Sequence, residues 1–153
     1  LKVLSWGAPL ASPLEDSRDD TWDEERRPRR ILVIDDEPYI LASIKRTLHH
    51  YEVVIAGGGH RAIEILDADS HYDLVLCDLV MGTVSGIAVH QWIAAKRPAL
   101  MERVIFMTAG AFTNEVREFL TNVQNPVLHK PFDTKTLRWM IAQALQRAAN
   151  TDR

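Results

Sequence analysis

The chain has 153 residues, 46% of them apolar and 25% charged, the balance of a single globular domain with an ordinary core. A formal net charge of −3 leaves no basic footprint for nucleic acid. The one cysteine, Cys77, excludes an internal disulfide and lies in an apolar run, where it is expected to pack as a small hydrophobe.

No apolar stretch approaches the roughly 20 residues needed to span a bilayer. Residues 1–14 lack the long apolar core of a signal peptide. No direct membrane contact is expected, and a reducing cytoplasm suits the cysteine usage. The first residue is leucine, so a longer parent chain is expected.

Residues 1–29 read as a linker or the tail of an upstream domain. They carry Pro9, Pro13 and Pro28, and a mixed charge run from Glu15 to Arg30 with no apolar period, which reads as a solvated linker. From Ile31 the pattern alternates. Strand-like runs fall at 31–35, 52–56, 73–77, 103–107 and 126–129. Between them lie helical spacings of three and four. The first places Ile40, Leu41, Ile44 and Leu48 on one face, and the second Ala62, Ile63 and Leu66. The third runs from about Ile87 to Lys96, and the fourth carries Phe112, Val116, Phe119 and Leu120. The last carries Leu137, Met140, Ile141 and Leu145. Strands alternating with helices predict a parallel sheet joined by right-handed crossovers. Continuously apolar strands predict helices on both faces. Residues 30–149 form the expected domain and 150–153 a C-terminal tail.

The polar residues that end these runs carry the chemistry. Asp35 and Asp36 follow Ile31–Ile34, Asp78 follows Leu74–Cys77, Thr108 follows Val104–Met107, and Lys130 precedes Pro131. Each has a plain structural reading. Asp35-Asp36-Glu37-Pro38 suits a helix N-terminus, Asp78 a turn, Thr108 a strand end, and Lys130-Pro131-Phe132 a turn. Taken together, functional groups end four strands, and open parallel sheets place their sites at that edge. Mg²⁺ takes oxygen ligands, with one or two carboxylates beside water and phosphate oxygens. Asp36 and Asp78 suit the direct bonds. Lys130 would pair with a phosphoryl oxygen.

The motifs ILVIDDEP, DLVLCDLVM, VIFMTA and HKPFD, in that order and spacing, resemble two-component response-regulator receiver domains. The resemblance covers about residues 30–149. It implies a flavodoxin-like (βα)5 fold, a doubly wound parallel five-stranded sheet in the order 2-1-3-4-5. It implies that Asp78 accepts a phosphoryl group, that Asp36 binds Mg²⁺ directly and Asp35 mostly through water, and that the Val80 carbonyl completes the metal site. Thr108 would bond the phosphoryl group, Lys130 would pair with it, and Lys130–Pro131 would be cis. The implied partners are a histidine kinase or histidine phosphotransfer domain and a downstream output protein. The segment from Phe106 to Thr113, with Asn125–Phe132, is similar to receivers at the C-terminal end of hybrid sensor histidine kinases.

The chain also departs from the family. Gly82 stands where the family has proline, which predicts a more mobile loop. Val127 replaces the switch aromatic, so no ring flip is available there. Gly86 falls where the family keeps its loop glycine.

Two other receiver readings are a stand-alone response regulator and a phosphorylation-independent binding module. A haloacid-dehalogenase-like phosphatase would need an Asp-x-Asp arrangement that Asp35-Asp36-Glu37 lacks. Gly57-Gly58-Gly59-His60 is a strand-to-helix turn without the Lys-Ser/Thr of a phosphate loop. His49-His50 is expected to end the first helix, and Trp92 and Trp139 to serve as packing or contact residues.

Overall fold

A computed structural model describes residues 27–110 and 113–152. Five strands form one parallel sheet: β1 (Arg30–Ile34), β2 (Glu52–Ala56), β3 (Leu74–Asp78), β4 (Val104–Thr108) and β5 (Val127–His129). Their order is β2-β1-β3-β4-β5, as expected. The helices are α1 (Pro38–Thr47), α2 (Gly59–Ala68), α3 (Gly86–Lys96), α4 (Asn114–Asn122) and α5 (Thr134–Thr151), with a 3-10 turn at Pro98–Arg103.

The strands are apolar at consecutive positions because both faces of the sheet are covered. Leu32, Ile34, Val75, Cys77 and Phe106 pack with Ala62 and Leu66 of α2, Val89 and Ile93 of α3, and Val116 of α4. The alternate residues Ile31, Val33, Leu74, Leu76, Ile105 and Met107 pack on the other face with Leu41 and Ile44 of α1 and Leu137 and Ile141 of α5. Burying one such side chain contributes roughly 2 kcal/mol. A one-residue slip of a strand would exchange its two faces. Side-chain caps fix the starts of α3, α4 and α5: Ser85 accepts from Ala88 N at 3.2 Å, Thr113 from Val116 N at 3.2 Å, and Asp133 from Thr136 N at 2.6 Å.

Several boundaries differ from expectation. β3 and β4 each run one residue further, so Asp78 and Thr108 are the last residues of their strands. The apolar pattern marks burial, whereas strand ends are set by ladder hydrogen bonds that polar residues also make. Glu37 occupies the N-cap position of α1 without a side-chain cap bond. Instead its N–H donates to Asp35 Oδ1 at 2.9 Å, so the capping reading of the acidic tetrapeptide fails for its side chains. α1 stops at Thr47, and His49 Nδ1 lies 3.2 Å from the Arg46 carbonyl oxygen just beyond the helix. α5 continues to Thr151, two residues into the segment expected as a tail.

At the other end, the solvated-linker reading of the charge run fails at its last residues. Arg27 and Arg29 are tied to Asp73, and Arg30 begins β1. The rest of the expected linker, residues 1–26, lies outside the described residues, as does Phe112. Trp92 packs against the core while Trp139 is 63% exposed.

Candidate phosphoryl and metal site

The C-terminal ends of four strands converge. β1 and β3 are neighbours in register, with Ile34 opposite Cys77. Asp35 and Asp36 therefore leave the sheet beside Asp78. β4 flanks β3 on the other side, with Asp78 opposite Met107 and Thr108 one residue beyond. Lys130 follows β5, and its N–H donates to the Thr108 carbonyl at 2.7 Å.

Carboxylate oxygens of Asp35, Asp36 and Asp78 lie within 4.8 Å of one another. The Lys130 ammonium donates to Asp35 Oδ2 at 2.6 Å and to Asp78 Oδ2 at 3.1 Å. Glu37 Oε1 is 3.8 Å from the same nitrogen. Asp35 is fully buried, Asp78 is 4% exposed, and Asp36 is exposed at the rim. The Lys130–Pro131 peptide is cis.

One ammonium is shared by two buried carboxylates. Burial pushes the Asp78 carboxyl above its ordinary range; the Lys130 hydrogen bond opposes that shift, and the Asp35 charge adds to it. Burial alone would lower the Lys130 pKa, but its bonds to Asp35 and Asp78 outweigh it and the ammonium is held more tightly than usual. The lysine gains from two acids at once, while Asp78 sets only a share of one lysine against its burial. Two carboxylates about 4 Å apart repel by about 4 kcal/mol at an effective dielectric of 20, so the cluster favours an added cation. Three acidic oxygen donors at a sheet edge are the donor set a hard divalent cation takes.

Val80 donates its N–H to Asp78 Oδ1 at 3.2 Å and is 57% exposed. Its carbonyl accepts no hydrogen bond among the described residues. Thr108 is buried, and its Oγ1 accepts from Gly110 N at 3.4 Å. It stands at the adjacent strand end without a hydrogen bond to any of the three acids among the described residues. Gly86 is required by packing: a Cβ there would fall 2.2 Å from the Asp78 carbonyl oxygen.

Two contacts were not read from the sequence. Glu37 reaches toward Lys130, and Gly82 donates its N–H to Asp36 Oδ2 at 3.1 Å. Gly82 offered a signal, since it stands in place of a residue with no N–H. The loop expected to be looser because of that glycine is tied to the cluster at that residue.

The family model described as response regulator receiver domain matches residues 31–142. The transcriptional regulatory protein ZraR of Escherichia coli K12 is 32% identical over 124 residues, which are 80% of this chain and 27% of ZraR. The sensor protein GacS of Pseudomonas syringae pv. syringae is 29% identical over 121 residues, 75% of this chain and 13% of GacS. The chain thus spans well under two thirds of either relative. Among solved structures, the response regulator protein TrrA of Thermotoga maritima, in complex with Mg²⁺ and BeF, superposes with a TM-score of 0.63 at 29% identity, covering 76% of this chain and 98% of that one.

Proposed function

The chain belongs to the response regulator receiver family, and from that premise we propose that it takes a phosphoryl group from a phosphohistidine onto Asp78. The observation that carries this reading is a buried carboxylate 3.1 Å from a lysine, beside two further acids.

An Asp78 carboxylate oxygen attacks phosphorus and the phosphorus–nitrogen bond to imidazole breaks. The leaving electron pair stays on that ring nitrogen, which later takes a proton. The product is an acyl phosphate, which water cleaves back to carboxylate and inorganic phosphate. Asp35, Asp36, Asp78 and the Val80 carbonyl are the residues that would hold Mg²⁺, which supplies positive charge for the phosphoryl oxygens when bound. Lys130 has a short path to an incoming phosphoryl oxygen, because its ammonium already touches Asp78. Thr108 would donate its hydroxyl from the neighbouring strand end. The protein's work is positioning and charge stabilisation.

The donor is a histidine kinase or a histidine phosphotransfer domain. The likeness to the sensor protein GacS supports a receiver within a longer sensor protein, for which we propose the C-terminal part of a hybrid histidine kinase, and that to the transcriptional regulatory protein ZraR supports a receiver within a transcriptional regulator. A kinase core upstream in the full open reading frame would decide for the first. A cytoplasmic location follows from the donor, and no described helix is long and apolar enough to cross a membrane.

The output is expected to be local. A hydrogen bond to a charged group contributes roughly 1.5–3 kcal/mol, whereas moving a population from 1:99 to 99:1 needs about 5.5 kcal/mol. Thr108 cannot supply that alone, and Val127, at the start of β5 opposite Phe106, has no ring to flip. Lys130 and a partner bound on α4, β5 and α5 would have to supply the rest.

Treatment with acetyl phosphate and Mg²⁺ tests the chemistry. Wild type is expected to gain one hydroxylamine-labile phosphoryl group and Asp78→Asn none. Full labelling of Asp78→Asn would reject the assignment. Beryllofluoride is expected to shift amide resonances around the pocket and leave α4 and β5 nearly unchanged. A large shift there in wild type would show that Val127 does not weaken coupling.

A further inference from the structure

Asp36 is held differently from its two neighbours. Asp35 accepts from Lys130 at 2.6 Å and from Glu37 N at 2.9 Å. Asp78 accepts from Lys130 at 3.1 Å and from Val80 N at 3.2 Å. Among the described residues, no cationic side chain pairs with Asp36, and its carboxylate accepts a single hydrogen bond, from Gly82 N at 3.1 Å. Asp36 is also the exposed member of the cluster. An exposed carboxylate with no such bond would sample several rotamers, and ordering it would cost affinity for any cation it binds.

The bond exists because residue 82 has an N–H. A proline there would remove the donor. Nothing about Gly82 requires glycine for space or strain. A Cβ built there meets no atom within 4 Å, and Gly82 is not one of the positive-φ glycines, Gly58 and Gly110.

We infer that Gly82 is a positioning residue for divalent-cation binding: its backbone N–H holds Oδ2 of Asp36 and leaves the second carboxylate oxygen for the metal. This rests on the phosphoacceptor reading above. The β3–α3 loop thereby supplies two backbone donors to the acids, Val80 N to Asp78 and Gly82 N to Asp36. The second depends on this chain's departure from the family's proline.

Two substitutions separate the N–H from the shape of the loop. Gly82→Ala keeps the donor and Gly82→Pro deletes it. Calorimetric titration with Mg²⁺ is expected to give Gly82→Ala a Kd within about twofold of wild type and Gly82→Pro one weaker by about five- to tenfold. At saturating Mg²⁺ the acetyl-phosphate labelling rate of Gly82→Pro is expected to return to that of wild type, because the nucleophile is untouched. A second measurement needs no metal. Hydrogen exchange of the Gly82 amide in metal-free wild type is expected to be slower than in Asp36→Ala.

Equal Mg²⁺ affinity in Gly82→Pro and Gly82→Ala overturns the inference and leaves the phosphoacceptor reading standing. So does equal weakening of both, which would assign the effect to loop shape, and so does a Gly82 amide that exchanges alike in wild type and Asp36→Ala. Wild type that binds no Mg²⁺ overturns both readings.

Discussion

Two buried aspartates bracket one strand, and they are compensated in opposite ways. Asp73, immediately before β3, is 2% exposed; Asp78, the last residue of β3, is 4% exposed. Asp73 accepts from Arg30 N at 2.7 Å, from both terminal nitrogens of Arg27 at 2.9 and 3.0 Å, and from Arg29 at 3.3 Å. Burial pushes its carboxyl upward, but these donors outweigh burial and hold it below the ordinary range. Asp78 shares one lysine with Asp35, and there burial wins and the carboxyl is raised. Equal burial therefore says little about role. Asp73, with several donors, is compensated as a structural clamp, whereas Asp78 is short of positive charge, which suits the phosphoacceptor role proposed above.

The largest expected effect tests the clamp. Asp73→Asn removes the charge from the bonds of Arg27, Arg29 and Arg30 N and is expected to cost roughly 2 kcal/mol in urea unfolding, the scale of a hydrogen bond to a charged group, because the two exposed arginines return to water. A loss below about 1 kcal/mol would mean that the contacts are surface pairs of little worth.

The opposite sign is expected at the other end of the strand. A carboxyl whose folded pKa is raised makes the protein most stable below the unfolded value near about 4 and less stable as pH rises through the folded value. In Mg²⁺-free buffer, Asp78→Asn is expected to be more stable than wild type at pH 7, with the difference vanishing toward pH 4. Lys130 retains Asp35 in that variant, so its ammonium is not orphaned. For Asp73 the folded pKa is depressed, so its contribution is present above about pH 4 and is lost as pH falls through the folded value. Stability differences between wild type and each Asn variant that change in the same direction with pH would dissolve the contrast.

The smallest effect concerns a buried imidazole. His90 of α3 is 8% exposed, its Nε2 has no hydrogen-bond partner among the described residues, and its ring lies 5.5 Å from Phe106 and 5.2 Å from Phe119. Burial lowers its pKa. The unfolded chain then binds the proton first as pH falls below about 6.5, and stability is lost from there downward. Wild type is expected to lose more stability than His90→Phe between pH 7 and pH 5. Equal losses would show that the imidazole is protonated in place.

Much of this architecture was legible along the chain. The runs from Ile31, Val53, Leu74 and Val104 are apolar at consecutive positions, and the intervening spacings of three and four marked all five helices. Asp35, Asp36, Asp78 and Lys130, which the fold brings together, could be picked out because each follows a strand-like run. What the pattern missed was contact between residues distant in sequence. Asp73 fell inside the strand-like run 73–77 and was given no role of its own, and Arg27 and Arg29 looked like part of a solvated charge run. Gly82 read as a loosened loop because glycine propensity speaks for the free chain, whereas its N–H meets Asp36, 46 residues away.

The order of residues alone settled which segments are strands and helices, which faces are apolar, and which charged groups stand at strand ends. Those are local properties of spacing and side-chain chemistry. Only the folded arrangement decided which carboxylates share a cation and which are fully paired. That depends on strand order and on distances of a few ångströms across the sheet, where electrostatic compensation is won or lost.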